Sequence, residues 1–295
     1  MTNNNDDPGH SRSSPRNAQH PGERGPEHRS SRHKHKNRRD RAAPPGRRQQ
    51  PTDQYIYGLH AVEFALRHPA RGIQAIWATE NAERKLAEAI AVRPNPVNRA
   101  TPRDLDRLVG VDAVHQGIVV EAAPLLTVEL ADIAETAIAA NRPIILMDQV
   151  TDPHNVGAVL RSGAVFGAAG VIMTQRHSPT LGGALAKAAS GALDLMPICL
   201  VQNLAKTVTE LQQQSFTVIG LDGGHDNRLL EDGLAERHGK PLALALGAEG
   251  KGLRELTRLS CDELCRIGGD GPITSLNVSN AAAIALHLAA MQRRN

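Results

Sequence analysis

The chain has 295 residues, room for about two domains, and is 40% hydrophobic but only 2% aromatic, so its core must be Ala, Val, Leu and Ile. The net charge of +3 hides an asymmetry: residues 1–51 carry 12 Lys or Arg against 5 Asp or Glu (+7), and the rest carries 22 against 26 (−4). No apolar run approaches the roughly 20 residues of a membrane span. Residues 1–30 contain no signal-peptide core, and Cys199, Cys261 and Cys265 are too scattered for a disulfide framework, so the expected compartment is the cytoplasm.

Residues 1–51 are Arg, His, Ser, Pro, Gly and Asn with almost no aliphatic side chain. Such a segment cannot bury enough apolar surface to offset its ordering entropy, and reads as a disordered basic tail. Its charge would attract phosphates without regard to sequence; a solubility tail is the plainer reading. Residues 52–124 read as a small α/β unit. Helix pattern covers His60–Arg67 and Ala82–Ala91, and strand pattern covers Ile73–Ala78 and Ile118–Ala122. Thr101-Pro102-Arg103-Asp104 has the form of a helix start. His115-Gln116-Gly117 precedes the last strand and reads as a polar turn.

From residue 125 to 295, beyond a short linker at Pro124–Thr127, strands and helices alternate. Helix pattern over Val128–Ala140 is followed by strand Pro143–Met147, helix Val156–Phe166 and strand Gly170–Met173. A small-residue helix near Leu185–Ser190 leads to strand Met196–Val201 and helix Leu204–Gln214. Strand Phe216–Leu221 and a turn at Asp222–Gly224 precede strand Leu242–Leu246. Helix Leu253–Ser260, strand Glu263–Ile267 and a last helix over Ala281–Met291 complete the pattern. The strands are continuous apolar runs, as expected where helices cover both faces. The alternation predicts an α/β fold with a parallel, doubly wound sheet.

Open parallel sheets bind ligands beyond the carboxyl ends of their strands. Three loops there carry the chemistry: Asp148 to Asn155, leading into a helix with Arg161; Gly247-Ala-Glu249-Gly-Lys-Gly252; and Ile267 to Asn280. Glycines let a ligand approach the main chain, and Ser275, Asn277 and Ser279 are more polar groups than one helix cap needs. Each loop also has a plain reading, with Asp152 or Asn155 as a cap, Arg161 as a surface cation and the glycines as turns. The spacing in Gly247–Gly252 departs from a phosphate loop, which disfavours ATP or GTP. No GxGxxG follows the first strand, which disfavours a nicotinamide cofactor. Cys261 and Cys265 lack a second ligand pair, read as buried small residues, and suggest no metal.

The stretches DQVTDPHNVGAVLR (Asp148–Arg161), LGAEGKG (Leu246–Gly252) and IGGDGPITSLNVSN (Ile267–Asn280) resemble the three motifs of SPOUT-superfamily RNA methyltransferases, in the branch that modifies ribose 2′-hydroxyls. Tyr57-Gly-Leu-His60 and His115-Gln-Gly117 resemble, more diffusely, that branch's L30e-like substrate-binding domain. The whole is most similar to bacterial enzymes acting on a guanosine of 23S rRNA. The resemblance implies a SPOUT fold with a C-terminal trefoil knot, a homodimer, and S-adenosylmethionine held by main chain at Gly247, Ile267 and Leu276. It maps the catalytic set onto Asn155, Arg161, Glu249, Ser275 and Asn277. Gly268, Gly269 and Pro272 depart from the family's usual residues in the cofactor loop. Two readings stand beside this one: a tRNA guanosine 2′-O-methyltransferase, and a non-catalytic RNA-binding or ribosome-assembly protein of the same fold.

Overall fold

A computed structural model describes residues 53–293 apart from 238, 270 and 272–274. The expected basic tail, and Pro272, lie outside the described residues. The first part of the chain runs β1 (Tyr55–Tyr57), α1 (Leu59–Arg67), β2 (Ile73–Ala78), α2 (Glu80–Lys85), α3 (Ala87–Ala91), β3 (Val97–Arg99), α4 (Pro102–Val109) and β4 (Ile118–Ala122). Its four strands form one sheet in the order β1-β4-β2-β3. β4 is antiparallel to β1 and β2, and β3 is parallel to β2. The single helix expected over Ala82–Ala91 is two short helices, because the backbone leaves the helical region at the buried Leu86 (φ −110°, ψ 17°). Strands β1 and β3, three residues each, are too short to show an alternation. The start of α4 is as expected: Thr101 accepts from the Asp104 N–H, and the Asp104 carboxylate accepts from the Thr101 N–H in return.

The second part runs α5 (Leu130–Ala140), β5 (Ile144–Asp148), α6 (Pro153–Phe166), β6 (Gly170–Thr174), α7 (Gly183–Ala189), α8 (Ala192–Leu195) and β7 (Ile198–Val201). It continues with α9 (Leu204–Gln213), β8 (Thr217–Leu221), β9 (Arg228–Leu229), α10 (Leu230–Glu236), β10 (Leu242–Gly247), α11 (Glu255–Ser260), β11 (Glu263–Arg266) and α12 (Val278–Gln292). Seven strands form a sheet ordered β7-β6-β5-β10-β8-β11-β9, with every neighbouring pair parallel. β5 and β6 are buried along their whole length, as continuous apolar strands between helical layers must be. Each fully buried Ile or Leu here contributes about 1.5–3 kcal/mol. The elements missed in the sequence, β9, α8 and α10, are two to seven residues long. α10 also carries Gly233 in its interior, which conceals its helix pattern.

One buried apolar cluster passes from the four-stranded sheet and α1 (Ile56, Ile76, Leu66) into the seven-stranded sheet and its helices (Met173, Val156, Leu193). A buried ion pair crosses the same seam. Arg71, after α1, lies 3.5 Å from Asp194 of α8, their side chains 2% and 1% exposed. Burial lowers the Arg71 pKa and raises that of Asp194, and each charge partly offsets the shift of the other.

Candidate active site

The strand order brings the carboxyl ends of β5, β10, β8 and β11 side by side. Asp148 ends β5, Gly247 ends β10, Leu221 ends β8 and Arg266 ends β11. The loops after β8, β10 and β11 line a cavity of about 640 Å³, and none of its lining residues comes from the loop after β5. Gly247, Glu249, Ile267, Ser275, Leu276 and Asn277 all line it. The Gly247 loop folds back on itself: Ala248 and Gly252 exchange two backbone hydrogen bonds of 3.1 and 2.8 Å. A Cβ on Gly247 would sit 2.0 Å from the Gly252 carbonyl carbon, so no side chain fits there.

Three polar side chains, from the first turn of α6, the Gly247 loop and the N-cap of α12, meet at this edge. Asn155 donates its amide to Glu249 Oε1 at 3.1 Å. Asn277 Nδ2 donates to Asn155 Oδ1 at 3.0 Å and also to Glu249 Oε1. The far end of the same Asn277 amide caps α12: its Oδ1 accepts from the Ser279 N–H at 2.9 Å and the Ser279 hydroxyl at 2.5 Å. One residue therefore starts a helix and joins the polar set. Asn155 is free for its contacts because Asp152 takes the cap of α6, accepting from the His154 N–H at 3.0 Å.

Arg161 stands apart from this set. It lies on α6 with its side chain exposed, and it is not among the residues lining the cavity. Asp270 and residues 272–274 of the third loop lie outside the described residues.

Two features had no clear signal in the sequence. The buried Asp148 carboxylate accepts from the Arg254 N–H at 2.9 Å and from Arg254 Nε at 2.6 Å, and so ties the end of β5 to the loop leaving β10. Asp222, read in the sequence as a plain turn, lines the cavity, because β8 lies between β10 and β11. Its carboxylate holds Gly224 N, Asn227 Nδ2 and Arg258 Nε. Cys265 also lines the cavity but is fully buried, and burial pushes its thiol pKa up to about 12; it is inert there. Cys261, expected to be buried, is only half-buried, at the end of α11, with its Sγ bonded to the Thr257 carbonyl. Among the described residues no group of three or more His, Cys, Asp or Glu is placed to hold a metal.

The fold and the cavity define a class: an α/β protein with a parallel sheet and a cavity at its carboxyl edge, where such sheets bind ligands. Residues 142–287 match the SpoU rRNA Methylase family, and residues 55–128 match the family described as RNA 2′-O ribose methyltransferase substrate binding. The 23S rRNA (guanosine-2′-O-)-methyltransferase RlmB of Pseudomonas putida is 38% identical over 250 residues, 81% of this chain and 96% of that protein. The RlmB of Escherichia coli is 36% identical over 243 residues, covering 81% and 98%. The chain belongs to the SpoU rRNA methylase family. Its fold is shared with the SpoU methyltransferase AviRb of Streptomyces viridochromogenes, crystallised with AdoMet, at a TM-score of 0.67 and 22% identity over 82% of this chain and 90% of that one. The AdoMet-bound rRNA methyltransferase of Sinorhizobium meliloti aligns at 0.64 and 20% identity, covering 81% and 87%.

Proposed function

We propose that this protein methylates the 2′-hydroxyl of a guanosine ribose in 23S rRNA, with S-adenosylmethionine as methyl donor. The observation that carries the reading is one cavity with Gly247, Ile267 and Leu276 in its wall and, beside it, Asn155 hydrogen-bonded to Glu249 and Asn277 of that wall. The relatives named for this reaction match over almost their whole length. The cavity suits the donor: its volume lies in the range of small-molecule sites, and Gly247, Ile267 and Leu276 stand in its wall.

The donor supplies a methyl group already activated on a sulfonium. The residues of the chain have the harder task, holding a weakly acidic ribose hydroxyl in line and stabilising negative charge that grows on its oxygen. Arg161 fills the second role. A guanidinium stays protonated in a protein, so it acts as a donor to the substrate phosphate and the developing alkoxide and not as a base; the hydroxyl proton passes to that phosphate or to water as the methyl group leaves the sulfonium. Asn155, fixed by Glu249 and Asn277, orients the ribose. Glu249, Ser275 and Asn277 hold the target nucleotide.

In this reading residues 52–124 form the L30e-like unit that recognises RNA, residues 125–295 form the methyltransferase unit, and residues 1–51 form a basic arm. The C-terminal segment is threaded as a trefoil knot. The active form is a homodimer, supported by apolar side chains left exposed on two packed helices: Val165 of α6 at 76% exposure and Met291 of α12 at 50%. No helix of the described residues is long and apolar enough to cross a membrane, in keeping with action in the cytoplasm. Calorimetry with S-adenosylmethionine, and mapping of 2′-O-methyl groups in rRNA from cells with and without the protein, test the proposal. A chain that binds no donor, or an unchanged methylation map, would end it.

A further inference from the structure

The His115-Gln116-Gly117 turn has no part in the cavity, yet four side-chain hydrogen bonds hold it. Gly117 N–H donates to His115 Nδ1 at 3.0 Å, which leaves Nε2 to donate to Asp106 Oδ1 at 3.2 Å. Gln116 is held in the left-handed region (φ 56°), a costly conformation for a residue other than glycine. Its side-chain oxygen accepts from the Leu59 N–H, at the start of α1, at 3.1 Å. The same oxygen accepts from Lys187 Nζ of α7, across the seam, at 2.8 Å.

Among the described residues Gln116 is the one hydrogen-bond partner of the Lys187 ammonium. The side chain lies over Gly58, where a Cβ would come 2.5 Å from Nζ. Burial lowers the Lys187 pKa, so the group is partly withdrawn from water and depends on its acceptor.

The other side of α7 touches the helix that carries the candidate catalytic groups. A Cβ on Gly157 of α6 would fall 2.6 Å from Ala188 Cβ and 2.7 Å from Ala189 N. α6 and α7 therefore meet without an intervening side chain. Lys187 directly precedes Ala188, and Gly157 lies two residues after Asn155. A second tie, Thr180 Oγ1 to Asp53 Oδ1 at 2.7 Å, anchors the loop before α7 to the chain before β1.

We infer that Gln116 and Lys187 are positioning residues, which lock the four-stranded unit onto α7 and, through its contact with α6, set RNA held by that unit in register with Asn155 and Arg161. The inference rests on the proposed function for its RNA and goes beyond it in naming what fixes the distance from recognition to chemistry. Neither residue touches the reacting atoms.

The test uses the full-length protein with Lys187→Met, Gln116→Ala and the conservative Gln116→Glu, which keeps an acceptor for the ammonium. Nitroxide labels at the exposed positions 88 and 135 report the distance between the two units. The expected result is one narrow distance in the native chain and a broadened distribution in Lys187→Met and Gln116→Ala. In the same two variants kcat/KM for RNA falls about tenfold, in the range of couplings between touching residues. Affinity for S-adenosylmethionine stays within twofold, and Gln116→Glu restores both readouts. An unchanged distance distribution, or a loss of donor affinity in step with activity, overturns the inference. A native chain that methylates no RNA would instead sink the proposed function, and the distances would still judge the lock.

Discussion

The two sheets of this protein are built on opposite plans. The seven-stranded sheet is all parallel, its central strands buried on both faces, and its polar chemistry is confined to one edge where strands end. The four-stranded sheet mixes directions, and its β2 and β3 are only partly buried. The first arrangement leaves loops as the only place for a ligand. The second leaves residues of the sheet and its turns open to a large partner. Changes at the carboxyl edge should therefore act on the rate and on the methyl donor, while changes in the smaller unit should act on RNA capture or on the seam.

The largest effect is expected from Arg161→Ala, on α6 and outside the cavity wall. It should lower kcat about 10²- to 10³-fold, the usual cost of removing a donor to a developing oxyanion, with donor affinity by calorimetry unchanged. Near-normal turnover would remove Arg161 from the chemistry.

Arg254→Ala comes next. It removes the Nε donor from Asp148, whose side chain is fully buried, and leaves only the main-chain N–H of residue 254 on the carboxylate; it should cost about 1.5–3 kcal/mol in urea unfolding while weakening donor binding through the Gly247 loop. A variant with both properties intact would make the Asp148 contact incidental.

At the seam, Arg71→Met should destabilise by about 3 kcal/mol, because Asp194 then lies buried without its cation. The double variant Arg71→Met/Asp194→Leu should recover most of that loss. If the double variant is no better than the single one, the pair matters for more than its charge.

Removing residues 1–51 should lower RNA affinity at low salt and flatten its dependence on salt concentration, without touching donor affinity. Unchanged binding curves would leave the arm without a role in RNA capture.

The smallest effect is expected at α4. Thr101→Ala should cost about 1 kcal/mol in thermal unfolding. The Thr101 hydroxyl and N–H hold the Asp104 carboxyl below its ordinary range. That contribution is present above about pH 4 and is lost as pH falls through the lowered native value. Thr101→Ala should therefore flatten the acid limb of stability against pH.

Much of the larger unit was legible in the sequence because its signals are local. Buried parallel strands read as apolar runs, and the helix read over Val156–Phe166 is α6, which starts three residues earlier at Pro153. The three ligand loops could be placed on one edge because each follows a strand of the same sheet. What stayed hidden depends on order across the sheet. Asp222 joins the cavity only because β8 lies between β10 and β11. The Asp148 contact spans 106 residues of sequence. The division of labour between Asp152 and Asn155, and the double duty of Asn277, are matters of which way an amide points. The partner of Gln116 was equally out of reach, since Lys187 lies 71 residues away on another unit.

The placement of Asn277 has a bearing on biosynthesis. The wall formed by residues 275–281 is the last part of the cavity to leave the translating ribosome, and α12 is then fastened at its far end as Arg293 Nη2 reaches the Phe166 carbonyl at 2.6 Å. A nascent chain that has already made every strand still has no closed pocket. Modification of ribosomal RNA would thus wait until residues 275–293 have been made and docked.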